Sequence, residues 1–175
     1  LYKEDGGGAG FIVPSGTATD DSTKAFFSMV ARQGKIVSLF DFENKLGIFP
    51  SVHKSYKFCL LTLGSSERAD FAFFLTEPAQ LQDARRHFSL GPADFANLNP
   101  NTLTCPVFRS VRDAEITRGI YSRVPILIND QKKDIPRLGN PWGIQFMRMI
   151  DMSNDSGIFQ NSPNMASLPL YEAKM

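Results

Sequence analysis

Phe49 stands just ahead of a strand-like run and among three basic or titratable side chains, His53, Lys54 and Lys57. A flat π-face flanked by cations can stack on a base while the charges hold phosphates. The same ring can equally cap the core of an α/β sheet, and the residues alone leave both open. Other groups are weaker candidates. Gly6-Gly7-Gly8-Ala9-Gly10 precedes a strand-like run, whereas a phosphate-binding glycine loop follows a strand and opens a helix; a turn or frayed terminus is expected there. Asn140-Pro141-Trp142 offers an amide and a carbonyl that can accept from an exocyclic amine, but only one proline is present and no apolar strand leads into it. His53 and His87 have no cysteine or carboxylate at metal-ligand spacing, Ser15 lacks the first glycine of a nucleophile elbow, and Asp151 with Asp155 makes no EF-hand loop.

These residues need a scaffold, and composition allows one. The 175 residues are 42% hydrophobic and 21% charged, ordinary for a globular chain with a core of its own. Fifteen phenylalanines should dominate that core. A net charge of +1 gives no global attraction to nucleic acid. Residues 106–150, however, hold eight basic side chains against four acidic ones, a local excess that fits either a phosphate-facing surface or a solvated helix face. Cys59 and Cys105 make no disulfide framework or paired zinc motif. No apolar run reaches membrane length, so a reducing cytoplasm and no membrane partner are expected. The abrupt start at Leu1 and end at Met175 read as those of a fragment.

The positioning elements follow from periodicity and turn residues. Gly10–Pro14 reads as a strand buried on both faces. Asp20 or Asp21 is placed to cap a helix over Lys24–Gln33, with Phe26, Phe27 and Val30 on its buried face and Gly34 as C-cap. Ile36–Phe42 is a second apolar run, so residues 10–42 form a β-α-β unit with two parallel, neighbouring strands. Tyr56–Leu63 and Phe71–Leu75, with no helix between them, predict an antiparallel hairpin on the sheet edge. Proline and asparagine become frequent after Thr76, placing a soft boundary at 76–106. Arg109–Val124 reads as a helix with Val111, Ala114, Ile116 and Ile120 partly buried, Gln131–Gly139 as a loop, Trp142–Ile150 as a strand, and 151–175 as irregular.

With these residues in view, the chain resembles a known family. Gly10-Phe11-Ile12-Val13-Pro14-Ser15-Gly16, then Phe42-Glu43-Asn44, then Ile48-Phe49-Pro50 through Tyr56-Lys57-Phe58 are similar to segments of the adenine-specific (N6) DNA methyltransferases of bacterial restriction–modification systems. These include large fused restriction enzyme–methylase chains and phage-defence methylases. Asn99-Pro100-Asn101-Thr102, Cys105 to Ser110, Asn140-Pro141-Trp142-Gly143, Asp151 to Asp155 and Pro169 to Met175 continue the likeness in order. The resemblance implies an α/β fold: the C-terminal part of a doubly wound (Rossmann-like) methyltransferase sheet with an antiparallel last strand over residues 1–75. It implies a mixed α+β segment over 76–175, comprising a linker and the beginning of the target-recognition region. It implies S-adenosylmethionine as the parent protein's cofactor and double-stranded DNA as partner, with a nuclease fused or associated. The family's glycine motif and Asn-Pro-Pro-aromatic motif are absent from the chain, so no catalytic or cofactor-binding residue is carried over, and Asn140-Pro141-Trp142 comes too late to be the latter. Phe49 matches the aromatic that packs on a flipped adenine, with Tyr56 as runner-up. His53, Lys54 and Lys57 would line the DNA cleft, and Arg109 and Arg112 would contact phosphates. A non-catalytic DNA-binding or specificity module of such a system is the alternative.

Overall fold

The computed structural model describes residues 7–148, 150, 151 and 153–160. The first glycine of the Gly6 run and the segment Pro169–Met175 lie outside the described residues. In chain order the elements are β1 (Ala9–Pro14), α1 (Gly16–Thr19), α2 (Lys24–Arg32), β2 (Ile36–Glu43), β3 (Lys57–Leu63), β4 (Ala69–Leu75), β5 (Phe88–Leu90), α3 (Pro92–Leu98), α4 (Val111–Tyr121) and α5 (Pro136–Gly139), separated by short 3-10 turns. The strands make one mixed sheet in the order β1-β3-β2-β4-β5.

The β-α-β unit is present, but its strands are not neighbours. β3 runs antiparallel to both β1 and β2 and lies between them, so β1 and β2 are parallel across a gap of one strand. The expected β3–β4 hairpin does not form: β4 pairs in parallel with β2, on the other side from β3, and β5 closes that edge antiparallel. The 44–56 connection, long enough to bring β3 back alongside β2 in the opposite direction, removes the reason for a tight hairpin. β1 becomes the sheet edge, which is why Phe11 and Ile12 are exposed rather than buried on both faces.

Period-two alternation on β2 sorts its side chains between two apolar clusters. Leu39 joins the larger one, with Cys59, Leu61, Phe71 and Phe73 from the sheet, Phe27, Val30 and Ala31 from α2, Phe95 from α3 and Ala114 from α4. Phe42, Phe58, Ala72 and Leu75 form the smaller one on the opposite face, with Phe40, Ile48, Leu60 and Leu81 beside them. Of the helix face expected on α2, Phe27 and Val30 are buried while Phe26 stays exposed. A 3-10 turn at Asp21–Thr23 precedes the helix, so neither Asp20 nor Asp21 caps it. Gly34 ends it at φ +60°, as a C-cap glycine should. On α4 only Ala114 is buried; Ile116 and Ile120 face solvent because the contact with α3 is made on the other side.

Packing divides the described residues into a unit ending at Trp142 and a second beginning at Gly143. The expected boundary at 76–106 falls inside the first unit, since β5 and α3 belong to the same sheet and core. Residues 131–139 include a 3-10 turn and α5 rather than loop alone. No strand forms among the described residues of 142–150. In the second unit Asp151 accepts from the Arg148 guanidinium and from the Ser153 amide at 3.0 Å, around a 3-10 turn at Ser156–Ile158.

Phe71 is fully buried and anchors the larger core. Its ring stacks on Phe88 at 5.7 Å and on Phe73 at 6.5 Å, and meets Phe95 edge-on at 5.9 Å. Phe71→Ala should lower the unfolding free energy by about 3–5 kcal/mol, measured by urea denaturation, while the solvent-facing change Ile116→Ala should cost under about 0.5 kcal/mol.

Candidate functional site

The register Pro14↔Phe58↔Phe42↔Leu75 places the carboxyl ends of the parallel strands β1, β2 and β4 at one end of the sheet, together with the start of β3. Ligands of open α/β sheets bind outside the carboxyl ends of the strands. At this end the chain leaves β2 into the 44–56 loop, which carries Phe49, His53, Lys54 and Tyr56 and returns at Lys57.

Asn44 builds that loop. It is completely buried, and its amide donates to the carbonyls of Phe49 at 2.9 Å and Val52 at 2.8 Å, while its Oδ1 accepts from the Phe49 amide at 2.8 Å. The Asn44 amide nitrogen of the backbone donates to the Tyr56 carbonyl at 2.9 Å, closing the loop at its base. Phe49 is therefore held by its own backbone. Its ring packs edge-to-face with Phe58 at 5.0 Å, yet the residue keeps 37% of its surface exposed. It caps the smaller core on one side and offers the other side to solvent. Tyr56 is 52% exposed. His53 shares a hydrogen bond of 2.8 Å with the Ser55 hydroxyl, and Lys54 and Lys57 are exposed. Arg109 lies just ahead of α4, and Arg112 in its first turn comes only within 4.0 Å of Glu115.

Two residues that the sequence reading passed over organise the same end. Asp41 is buried, accepts from the Ser15 hydroxyl, and receives a backbone hydrogen bond from Phe74. Desolvation pushes its carboxyl above the ordinary value; Glu43 adds to the rise, and the two hydrogen bonds and the Lys57 charge oppose it. Phe74 carries the Arg109 guanidinium over its ring, 4.2 Å from the centroid. A carboxylate inside the apolar run Ile36–Phe42 was the visible sign, since buried carboxylates are rare unless hydrogen-bonded.

The remaining chemistry-bearing groups are structurally committed. The Ser15 hydroxyl donates its hydrogen bond to Asp41 and has no histidine partner among the described residues. His87 bonds the Asp70 carboxylate at 2.8 Å and the Leu81 carbonyl at 3.0 Å. Asp94, in a cleft between α3 and α4 of about 410 Å³, is taken by Arg68 and Arg118 and by the Gly91 amide. Asn99 bonds Thr104 within its own loop, and Asn101 ties that loop to the segment beyond α4 by donating to the Ile128 carbonyl and accepting from the Asp130 amide. Desolvation, then the nearby Asp41 charge, pushes the Cys59 thiol up to about 12, and burial also raises the Cys105 thiol well above its ordinary value. No cluster of three metal-ligating side chains forms among the described residues, and no described helix is long and apolar enough to cross a membrane.

Two measurements follow from these titrations. A carboxyl raised in the native state binds more protons there than in the unfolded chain, so stability falls as pH climbs from the ordinary carboxylate value upward. Asp41→Asn should flatten that fall in urea denaturation measured across the range. Asp83, held at about 2 by Arg85, acts with the opposite sign and at lower pH, so the windows separate. Both thiols, protonated and buried, should resist alkylation in the native chain and react at once on unfolding, as followed by mass spectrometry.

No family model matches the chain, and no curated protein matches it. Among solved structures, one described as "Structural basis underlying complex assembly and conformational transition of the type I R-M system" contains a chain that superposes with a TM-score of 0.41 at 12% identity. The match covers 70% of this chain and 34% of that one, so the chain here spans about a third of its length.

Proposed function

We propose that this chain is the target-handling part of an adenine-specific (N6) DNA methyltransferase from a restriction–modification or phage-defence system. On this reading residues 1–75 are the C-terminal part of a doubly wound, Rossmann-like methyltransferase domain, and residues 76–175 hold a linker, whose β5 and α3 pack onto the same sheet, and the beginning of its target-recognition region. The observation that carries it is the Asn44-tethered loop, which holds Phe49 half-exposed beside Lys54 and Lys57 at the carboxyl end of the parallel strands. Extruding a base costs a few kcal/mol, and an aromatic face that receives it returns part of that cost. Phe49 is the proposed stacking partner, with Tyr56 behind it. His53, Lys54 and Lys57 line the approach of the duplex, and Arg109 and Arg112 meet phosphates from the neighbouring segment.

The chain's own residues do not fit S-adenosylmethionine. Among the described residues Gly7 and Gly8 lead into β1, whereas a phosphate-binding glycine loop opens a helix. The methyl donor and the transfer step therefore belong to other segments of the parent protein. A second reading is a specificity module that binds DNA without chemistry, in which the aromatic and cationic side chains of the 44–56 loop serve binding alone.

In the complete enzyme, Phe49→Ala should slow methylation of duplex DNA by about 5- to 150-fold, the equivalent of roughly 1–3 kcal/mol of stacking, with cofactor affinity retained. Phe49→Trp should keep most of the activity, because any flat π-face stacks. If Phe49 serves only the Phe58 contact, Phe49→Ala lowers the melting temperature and leaves turnover unchanged, and the reading fails. The isolated chain should bind duplex DNA and transfer no methyl group to it.

A further inference from the structure

Between β2 and β4 the register slips. Phe40 pairs with Ala72 and Phe42 with Leu75, so that one residue on β2, Asp41, stands against two on β4, Phe73 and Phe74. The extra residue is a β-bulge, uncommon in parallel pairing and over-represented beside functional sites. It falls at Phe74, which adopts φ +60°. A left-handed bulge residue is ordinarily glycine, because a Cβ makes that conformation costly. Asp41, opposite the bulge, receives a backbone hydrogen bond from Phe74 and is itself oriented by Ser15.

The strained residue carries a ring, and the ring carries a cation. The Arg109 guanidinium lies 4.2 Å from the Phe74 centroid. Arg109 is exposed, and its N–H groups take no carboxylate or carbonyl among the described residues, unlike Arg68, Arg85 and Arg118, which are bound to carboxylates. A guanidinium laid on an aromatic face keeps its in-plane donors free at its edge, a fork that matches two oxygens of a phosphate. We propose that Phe74 is a platform, fixed in its bulge by Asp41, that presents Arg109 as a bidentate clamp for one phosphate group. The inference rests on the DNA-handling reading for the source of that phosphate, a duplex backbone, and makes Asp41 and Phe74 positioning residues.

The test uses the full chain and a duplex oligonucleotide over a series of KCl concentrations. Arg109→Ala should reduce the slope of log affinity against log salt by about one. Phe74→Leu, which keeps the strain, and Phe74→Asn, which tolerates the left-handed conformation, should each weaken binding about two- to fivefold through loss of the cation–π contact, whatever their melting temperatures. Adding Arg109→Ala to Phe74→Leu should then cost less than it does in the wild type, the non-additivity expected of residues acting together. Full additivity, or Phe74 variants whose affinity tracks only their stability, overturns the proposal. If the wild-type chain binds no duplex at any salt, the DNA-handling reading falls, and titration with inorganic phosphate decides the clamp alone. A shift of the Arg109 side-chain N–H resonance that disappears in Phe74→Leu supports it, and no shift overturns it.

Discussion

The placement of the 44–56 loop depends on β3 lying between β1 and β2. β1 and β2, parallel and joined by a helix, lie one strand apart, and β3 fills the slot antiparallel to both, entering from their carboxyl end and hydrogen-bonding on both sides. That direction of entry forces the β2–β3 connection to form at the carboxyl end. The 44–56 loop, Phe49 and Lys57 are therefore delivered to the end of the sheet where parallel strands leave unpaired backbone and a ligand can approach.

The aromatic core makes that arrangement rigid on one face. Phe27, Phe71, Phe73, Phe88, Phe95 and Phe108 meet in stacked and edge-to-face pairs that join α2, β4, β5 and α3. The opposite face has fewer covering elements. There the Asn44 loop and Leu81 cover Phe42, Phe58 and Leu75, so the segment that carries the candidate base-stacking ring also completes a core. Phe49 packs on Phe58 with one side and leaves the other open to solvent.

Polar burial is concentrated at the same end. Asp41 and Asn44, three residues apart, are buried and wholly engaged, one with Ser15 and the Phe74 bulge and the other with the loop backbone. No buried side-chain polar atom among the described residues lacks a partner. Polar groups buried at the rim of a sheet and fully hydrogen-bonded fix backbone geometry more tightly than apolar contacts do, because an unmade bond there costs about 1–3 kcal/mol. The loop and the bulge are set by these two side chains, and the exposed groups they position are Phe49 and Arg109.

The sequence by itself determined the local elements and the residues worth watching. Period-two and helical apolar patterns located α2 and β1 to β4 to within a residue or two, Gly34 marked the end of α2, and the aromatic and basic residues of 47–58 stood out by type. These signals are local, so they survive without knowledge of the fold. The tertiary structure alone decided strand order, since pairing through the 44–56 connection depends on loop closure and on which edges remain open. It alone exposed β1, because burial on two faces requires neighbours that apolar character cannot name. It alone revealed the Phe74 bulge, since a register slip between β2 and β4 exists only once the two strands are paired. With that slip came Asp41 beneath it and Arg109 above it, three residues separated by more than thirty positions in each direction and joined by a single backbone constraint.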